Sequence, residues 1–421
     1  MKTIAYYSDT EELGGSEVYL RTLLQNIDRV QYDVMVFCPD NHPLREFLEE
    51  NLFKLIFIRK TKPTSKAFFD QYKDGSKHKK SLLLREIIRK LVPKWLALSM
   101  GTLKEVIRLK RIFHSNPVGL IHFNDTGCEP PVIAARLAGI PVVLGTFHVV
   151  PSYDKKKTDL VRRLIEFFSV RSMHTGIAVS QAVKNAWMQR ALIDGHNIKV
   201  IYNGIDPYIL DSVDRSKGKE LLKDLHLPDN SCVVCVPARL HPMKGHKYLL
   251  QAIPGIIEKY SNAHFLCVGA GELKDELYKL SESLNVLNNV HFLGFRTDIY
   301  EIMSISHMIV LPSVELESFG YVLIEAMACS KPVIASNFSG IPEVVINGET
   351  GILVPRKDSK ALSEAIISLI EDPKKGIRMG KAGRIRMETC FTQERMLHES
   401  FQVYKDLLGT QLIDGSVVIH S

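Results

Sequence analysis

Two glutamates and the helix start between them have the residue types needed to bind a sugar and a phosphate together. Glu317 lies in a loop after an apolar run that predicts a buried strand, and Glu325 lies eight residues later, about one turn into a helix. Between them, Phe319, Gly320 and Tyr321 place backbone N–H groups at the helix N-terminus, where an anion is favoured. This arrangement suits a ligand that carries both hydroxyls and phosphates, as a nucleotide-sugar does.

Two basic residues stand in a second turn of the same kind. Arg239 and Lys244 follow a predicted strand at 233–237 and precede a helix predicted from Lys247. Charged loop residues are usually just solvated, but two cations near a helix N-terminus suit a diphosphate. Their position after a parallel strand therefore favours a phosphate clamp.

Glycines occupy three further loops at strand ends. Gly14 and Gly15 form a tight bend after the first strand and precede Ser16, a residue type that caps helices. A bare turn explains this pair equally well, but ligands of α/β proteins bind at the carboxyl ends of strands. Gly269 is predicted to leave room for a nucleobase, and Gly294 to help wall it.

A histidine, His148, follows the predicted strand 142–146. A lone histidine is more often a satisfied structural residue than a functional one. The loop after it, at 154–158, contains three lysines that could receive an anionic acceptor or simply be solvated.

Strands and helices alternate along the whole chain, which predicts an α/β fold with doubly wound parallel sheets. The predicted strands are 3–7, 33–38, 55–58, 120–123, 142–146, 176–179, 199–202, 233–237, 264–268, 290–293, 308–311, 333–335 and 351–354. The predicted helices of the first half are 17–27, 44–50, 80–113 (broken at Pro93), 132–137, 159–169 and 182–188. We predict an N-terminal domain over 1–205, a nucleotide-sugar domain over 206–390, and a helix over 391–410 that returns to the first domain, followed by a loose tail.

The Glu317–Glu325 stretch resembles the two-glutamate signature of retaining glycosyltransferases of family 4, which have two facing Rossmann-like domains (the GT-B fold). The flanking residues that share the resemblance are 317–320, 325–328, 331–336 and 340–343. Residues 146–148, 178–180 and 201–206 are similar to phosphatidylinositol mannosyltransferase-like members.

The resemblance implies a role for each candidate residue. Glu317 would hold sugar hydroxyls, Glu325 the ribose, and Arg239 with Lys244 the diphosphate of a UDP- or GDP-sugar. The backbone at Gly14 and Gly15 would approach the same diphosphate, and His148 would face the donor sugar. The implied reaction transfers the sugar to a lipid-linked or saccharide acceptor with an α-linkage, as in bacterial surface polysaccharide or glycolipid synthesis.

Metal and cofactor requirements follow from what the sequence lacks. No two aspartates stand two residues apart, so the Asp-x-Asp metal motif is absent and we expect no obligatory metal and no cofactor beyond the nucleotide-sugar. Retention could use a covalent carboxylate intermediate. The resemblance favours a same-face reaction in which the departing phosphate accepts the acceptor's proton.

The composition of the chain indicates a globular protein without disulfides or membrane spans. The chain has 421 residues, of which 45% are hydrophobic, so it can bury full cores. Seven scattered cysteines do not form a disulfide framework, and Cys232 and Cys235 lie within a predicted strand, which favours core packing over a metal or redox site. No signal peptide or membrane span is predicted, so we expect a cytoplasmic protein, or one peripheral on the inner face of the cell membrane.

Positive charge is concentrated in one stretch. Residues 59–111 contain 16 basic and 4 acidic residues, and 82–112 has an apolar side and a basic side. We predict an insertion at 59–113 that could dock on an anionic membrane, although a helix packed on a sheet has the same pattern. No reader motif accompanies the charge, so nucleic acid is not an expected partner.

Two other classes of function remain open from the sequence. A nucleotide-sugar epimerase or hydrolase would need a further acid/base set, which the sequence does not assemble. A catalytically silent, membrane-docked scaffold could lose Arg239, Lys244, Glu317 or Glu325, yet all four are present.

Overall fold

The computed structural model describes residues 2–11, 13–59, 94–125, 129–151, 160–193 and 195–416. The chain forms two compact units. The first comprises Met1–Val179, Lys184–Ile201 and Glu399–Ser421, and the second comprises Ser180–Val183 and Tyr202–His398. Most of the predicted insertion and the lysine loop at 154–158 lie outside the described residues.

The first unit contains a parallel sheet in the order β3-β2-β1-β4-β5-β6-β7. Its strands are β1 (Lys2–Tyr7), β2 (Tyr32–Cys38), β3 (Lys54–Phe57), β4 (Leu120–Phe123), β5 (Val142–Phe147), β6 (Thr175–Ala178) and β7 (Ile198–Val200). Its helices are α1 (Gly15–Asn26), α2 (Arg45–Glu50), α3 (Lys94–His114), α4 (Glu129–Leu137), α5 (Leu160–Ser172) and α6 (Gln181–Ala191), whose first residues group with the second unit. The central strands β4 and β5 are buried at every position, because helices cover both faces of a doubly wound sheet.

The second unit contains a parallel sheet in the order β10-β9-β8-β11-β12-β13. Its strands are β8 (Cys232–Pro237), β9 (Ala263–Val268), β10 (Val290–Gly294), β11 (Met308–Leu311), β12 (Val333–Ser336) and β13 (Gly351–Val354). Its helices are α7 (Arg215–Asp224), α8 (His246–Ile257), α9 (Lys274–Ser283), α10 (Ile299–Ile305), α11 (Tyr321–Ala328), α12 (Ile341–Val344), α13 (Ser359–Glu371) and α14 (Pro373–Cys390). One face of this sheet packs against α8 and α13 in a continuous apolar core.

The strand order reverses once in each sheet. The reversal lies between β1 and β4 in the first unit and between β8 and β11 in the second. Loops leave the carboxyl ends of the two central strands in opposite directions at such a point, which opens the crevice where α/β proteins bind ligands. The prediction of two doubly wound α/β sheets is confirmed, and every predicted strand is present with its ends within two residues.

The C-terminal helix is longer than predicted. Helix α15 (Gln393–Ser416) continues through most of the predicted loose tail, so that part of the prediction is wrong. Its residues from Glu399 onward group with the first unit. Buried side chains hold it there: the Tyr404 hydroxyl lies 2.6 Å from Nδ1 of His122 on β4, and Ser400 contacts the hydroxyl of Tyr19 on α1.

No helix among the described residues is both long enough and apolar enough to cross a membrane.

Candidate active site

The crevice between β8 and β11 brings together two of the predicted catalytic residues. Lys244 lies in a short 3₁₀ turn before α8, and Glu317 lies in the loop after β11. The Lys244 Nζ is 2.6 Å from Glu317 Oε2, and the Ser313 hydroxyl donates to the same oxygen at 2.9 Å. Glu317 is only 8% exposed, so the ion pair is shielded from solvent on the carboxylate side. The pairing brings the cation predicted to bind phosphate into direct contact with the carboxylate predicted to bind sugar.

The helix start between the two glutamates forms as predicted, with Gly320 in the left-handed conformation (φ 89°) just before α11. Glu325 is half-buried on this helix, and the Tyr300 hydroxyl donates to its Oε1 at 3.1 Å. Burial raises the pKa of the Glu325 carboxyl, and the Tyr300 hydrogen bond opposes that rise. Glu325 is thus oriented by a partner that the sequence pattern did not indicate.

The predicted glycines after β9 and β10 differ in their surroundings. A Cβ on Gly269 would lie 2.2 Å from the carbonyl oxygen of Ala238, so this glycine allows the backbone after β9 to touch the backbone after β8. This close approach is a second reason for a glycine here, and the role of Gly269 beside a nucleobase stays a prediction. Gly294 has a φ of 68° and open space around its missing side chain. The exposed Arg239 follows Ala238 in the same loop.

The start of α1 differs from the prediction. The cap is Gly14, and the Glu17 carboxylate accepts a hydrogen bond from Gly14 N at 3.0 Å, whereas Ser16 lies inside the helix and donates to Glu17. The prediction that Ser16 caps α1 is wrong, because Glu17 in the first turn reaches back to the N-cap. Burial raises the pKa of Glu17 to about 7. Gly14 and Gly15 lie, as predicted, after β1 at the reversal of the first sheet.

His148 directly follows β5 in the first unit. Its ring packs edge-to-face on Tyr19, with 5.0 Å between ring centroids. Its Nε2 is buried and has no hydrogen-bond partner among the described residues. Burial lowers the pKa of His148 to about 3, although a hydrogen bond to the backbone of Asn124 opposes this shift. The imidazole is therefore neutral at physiological pH.

A second buried histidine, His122 on β4, lies close to His148. The two ring nitrogens of His122 lie 2.6 Å from the hydroxyls of Tyr404 and Thr146, and burial lowers its pKa to about 3. Thr146 is two residues before His148 on β5. Through His122, hydrogen bonds therefore link the end of β5 next to His148 to helix α15.

These two histidines predict an acid-labile first unit. Below about pH 6.5 the unfolded chain binds protons at His122 and His148, whereas the folded protein resists protonation until about pH 3. Each histidine should therefore lower the free energy of unfolding by about 1.4 kcal/mol for every pH unit that the pH falls within this window. Urea midpoints followed by Trp187 fluorescence from pH 7 to pH 5 should show the loss. His122→Gln should have a shallower pH dependence; an unchanged slope would contradict the assignment.

The predicted site residues divide between the two units. Gly14, Gly15 and His148 belong to the first unit, and the other candidates belong to the second. Sequence reasoning missed Ser313 and Tyr300 as partners of the two glutamates. Ser313 lies two residues after β11 and four residues before Glu317, and a hydroxyl next to this strand end is its only sequence signal. Within the part of the chain that the structure describes, no group of three or more His, Cys, Asp or Glu side chains is placed to hold a metal ion.

The chain is similar to known glycosyltransferases over most of its length. Residues 13–208 match the profile described as Glycosyltransferase Family 4, and residues 218–386 match that of Glycosyl transferases group 1. The chain is 26% identical, over 93% of its length and 97% of the relative, to the UDP-Gal:alpha-D-GlcNAc-diphosphoundecaprenol alpha-1,3-galactosyltransferase of Escherichia coli. It is 33% identical, over 63% of its length and 67% of the relative, to the phosphatidyl-myo-inositol mannosyltransferase of Mycobacterium leprae.

Among solved structures, the chain resembles the HepE protein of Anabaena in complex with UDP. The TM-score is 0.76 at 23% identity, and the match covers 96% of this chain and 100% of that one. This likeness confirms the predicted GT-B fold.

Proposed function

Because the chain belongs to glycosyltransferase family 4 and is a glycosyltransferase that uses a nucleotide-sugar, we propose that it is a retaining enzyme forming an α-glycosidic bond. The donor would be a UDP- or GDP-hexose or -N-acetylhexosamine, and the acceptor a lipid-linked sugar or saccharide of bacterial surface polysaccharide or glycolipid synthesis. The observation that carries the proposal is the Lys244–Glu317 pair in the crevice between β8 and β11. The relatives named for undecaprenol-linked and inositol-lipid acceptors support the acceptor class.

The reaction proposed for this site needs no covalent intermediate. The bond between the anomeric carbon and the β-phosphate oxygen breaks, and the acceptor oxygen bonds to the same face of that carbon. The acceptor's proton passes to the departing phosphate oxygen. Arg239 and Lys244 would stabilise the charge that develops on that phosphate, and Glu317 would hold the sugar hydroxyls. Neutral His148 would contact the sugar as an uncharged group, which fits its low pKa.

Incubating the protein with radiolabelled UDP- and GDP-sugars and a bacterial membrane extract tests this proposal. We expect label in the lipid or saccharide fraction, and an α-glycosidase, but not a β-glycosidase, should release the transferred sugar from the product. Release of free sugar without transfer, or no turnover with any donor, would contradict it. Ile385→Ala changes an exposed side chain on α14 and serves as the control for protein handling.

Metal removal gives a second test. We expect full activity in EDTA, because cationic side chains rather than a divalent ion would meet the charge on the leaving group. Arg239→Ala should not acquire wild-type activity when Mg²⁺ is added. Complete loss of wild-type activity in EDTA, restored by Mg²⁺, would overturn metal independence.

Attachment to an anionic membrane surface is part of the proposal. On α3 and α5, the charged side chains that the structure shows as exposed are all basic, whereas the acids Glu105 and Glu166 are buried in ion pairs. Leu103 on α3 and Phe168 on α5 are 59% and 57% exposed. A basic surface with exposed apolar side chains is typical of proteins that lie on membranes.

Co-sedimentation with vesicles that contain phosphatidylglycerol should therefore decrease as salt rises. Phe168→Glu should weaken the binding, whereas Ile385→Glu on the second unit should not. Binding that changes with neither salt nor lipid charge would show that α3 and α5 do not dock on an anionic membrane.

A further inference from the structure

Residues 180–183 are separated in sequence from the rest of the second unit yet belong to it. They follow β6 and contain the first turn of α6, and Ser180 is fully buried. The Ser180 hydroxyl accepts a hydrogen bond from Val183 N at 3.2 Å and donates to the carbonyl oxygen of Ser318 at 2.7 Å. Both functions of the hydroxyl are used, so Ser180 caps α6 and fixes the backbone next to Glu317 at the same time.

A carboxylate from a distant part of the chain completes this helix start. Glu343 accepts hydrogen bonds from Gln181 N and Ala182 N, each at 2.7 Å and each to a different oxygen. The Tyr202 hydroxyl donates to Glu343 Oε2 at 3.1 Å. These amides have no acceptor within the helix, and a negative charge at a helix N-terminus is stabilising, so the three contacts form one charge-assisted anchor.

Tyr202 and Gly340, which lies three residues before Glu343, also contact the loop that carries Glu317. Gly340 N donates to the carbonyl oxygen of Glu317 at 3.4 Å, and a Cβ on Gly340 would lie 1.9 Å from the carbonyl oxygen of Ser318. Phe319 is 2% exposed, and its ring lies 6.0 Å from that of Tyr202. The backbone of the loop at 317–319 is therefore held by Gly340 and Tyr202.

We propose that Ser180 and Glu343 are positioning residues for the nucleotide-sugar reaction. They hold the Glu317–Ser318 backbone so that the Glu317 carboxylate meets Lys244 and Ser313. The inference rests on the proposed function, because it assumes that Glu317 binds the donor sugar. Both residues act through the position of Glu317, and neither would touch the donor.

A double-mutant cycle with Glu317 tests the inference. Ser180→Ala and Glu343→Gln should each lower kcat about 10- to 100-fold, since a displacement of about 1 Å in a catalytic group costs up to that factor. In a Glu317→Ala background, measured under single-turnover conditions, adding Ser180→Ala should cause no further loss. Asp372→Ala, which removes a cap from α14 in the same unit, is the matched control and should leave kcat unchanged. Circular dichroism and thermal unfolding of each variant identify any that fails to fold.

The outcomes separate the inference from the function on which it rests. If Glu317→Ala is impaired but folded Ser180→Ala and Glu343→Gln keep full kcat, the inference alone is wrong. If Ser180→Ala loses the same factor with and without Glu317, its role is merely structural and the inference is also wrong. If Glu317→Ala itself is fully active, the proposed donor site is wrong and the inference falls with it. A Glu343→Gln variant that does not fold leaves the decision to Ser180→Ala.

Discussion

Arg190→Ala is expected to lower the free energy of unfolding of the first unit by about 3–5 kcal/mol, because it removes the buried partner of the buried Glu166 carboxylate. Arg190 on α6 and Glu166 on α5 are 7% and 3% exposed, and Arg190 Nε lies 2.5 Å from Glu166 Oε2. The second partner of Glu166, Arg162, has a side chain that is 63% exposed, so solvent screens much of its contribution.

Urea unfolding followed by Trp187 fluorescence, in a Trp95→Phe background, measures this effect in the unit concerned. Trp187 lies on α6 and is 4% exposed. Lys199→Ala is the matched control, since it breaks an ion pair with Asp406 in which both side chains are about half exposed, and it should cost less than about 1 kcal/mol. Replacing both buried partners, as Glu166→Leu with Arg190→Met, should recover most of the loss. A loss below about 1 kcal/mol in Arg190→Ala would show that the pair is not desolvated.

Strands could be placed from the sequence because their signal is local. The strand β11 (Met308–Leu311) is an unbroken apolar run that ends in a Pro-Ser turn, and all four of its residues are buried. Helix α15 continues past the predicted end at residue 410, because a glycine such as Gly409 disfavours a helix by only about 1 kcal/mol. Tertiary contacts of Ser400 and Tyr404 hold the preceding turns of α15 on the first unit.

Contacts between distant residues could not be predicted in the same way. Lys244 and Glu317 were each singled out from local motifs, but their ion pair depends on β8 and β11 being neighbours, which follows from strand order. Glu343 is 161 residues from the amide of Ala182, and nothing in either local sequence indicates the other. The sequence therefore identified most of the candidate side chains but not the residues that orient them.

Lys244→Ala and Arg239→Ala are expected to lower kcat about 10²- to 10³-fold each, with a smaller rise in the donor KM. As the sugar leaves, negative charge concentrates on a β-phosphate oxygen, whereas in the bound donor it is spread over the diphosphate. A cation there contributes more in the transition state than in the ground state, and only that difference raises kcat. The double variant should lose less than the product of the two single losses, because both cations act on one charge.

The Lys244–Glu317 pair makes a control for folding necessary. Lys244→Ala removes the ion pair of Glu317, which is 8% exposed and still accepts a hydrogen bond from the Ser313 hydroxyl. Lys357→Ala is the matched control, because Lys357 makes an exposed ion pair with Glu315 two residues before Glu317, and its kcat should not change. Arg239→Lys should recover activity only in part, since the planar fork of the guanidinium is lost. If folded Lys244→Ala and Arg239→Ala change the donor KM alone, the two cations bind phosphate without stabilising its departure, and the leaving-group role assigned to them is wrong.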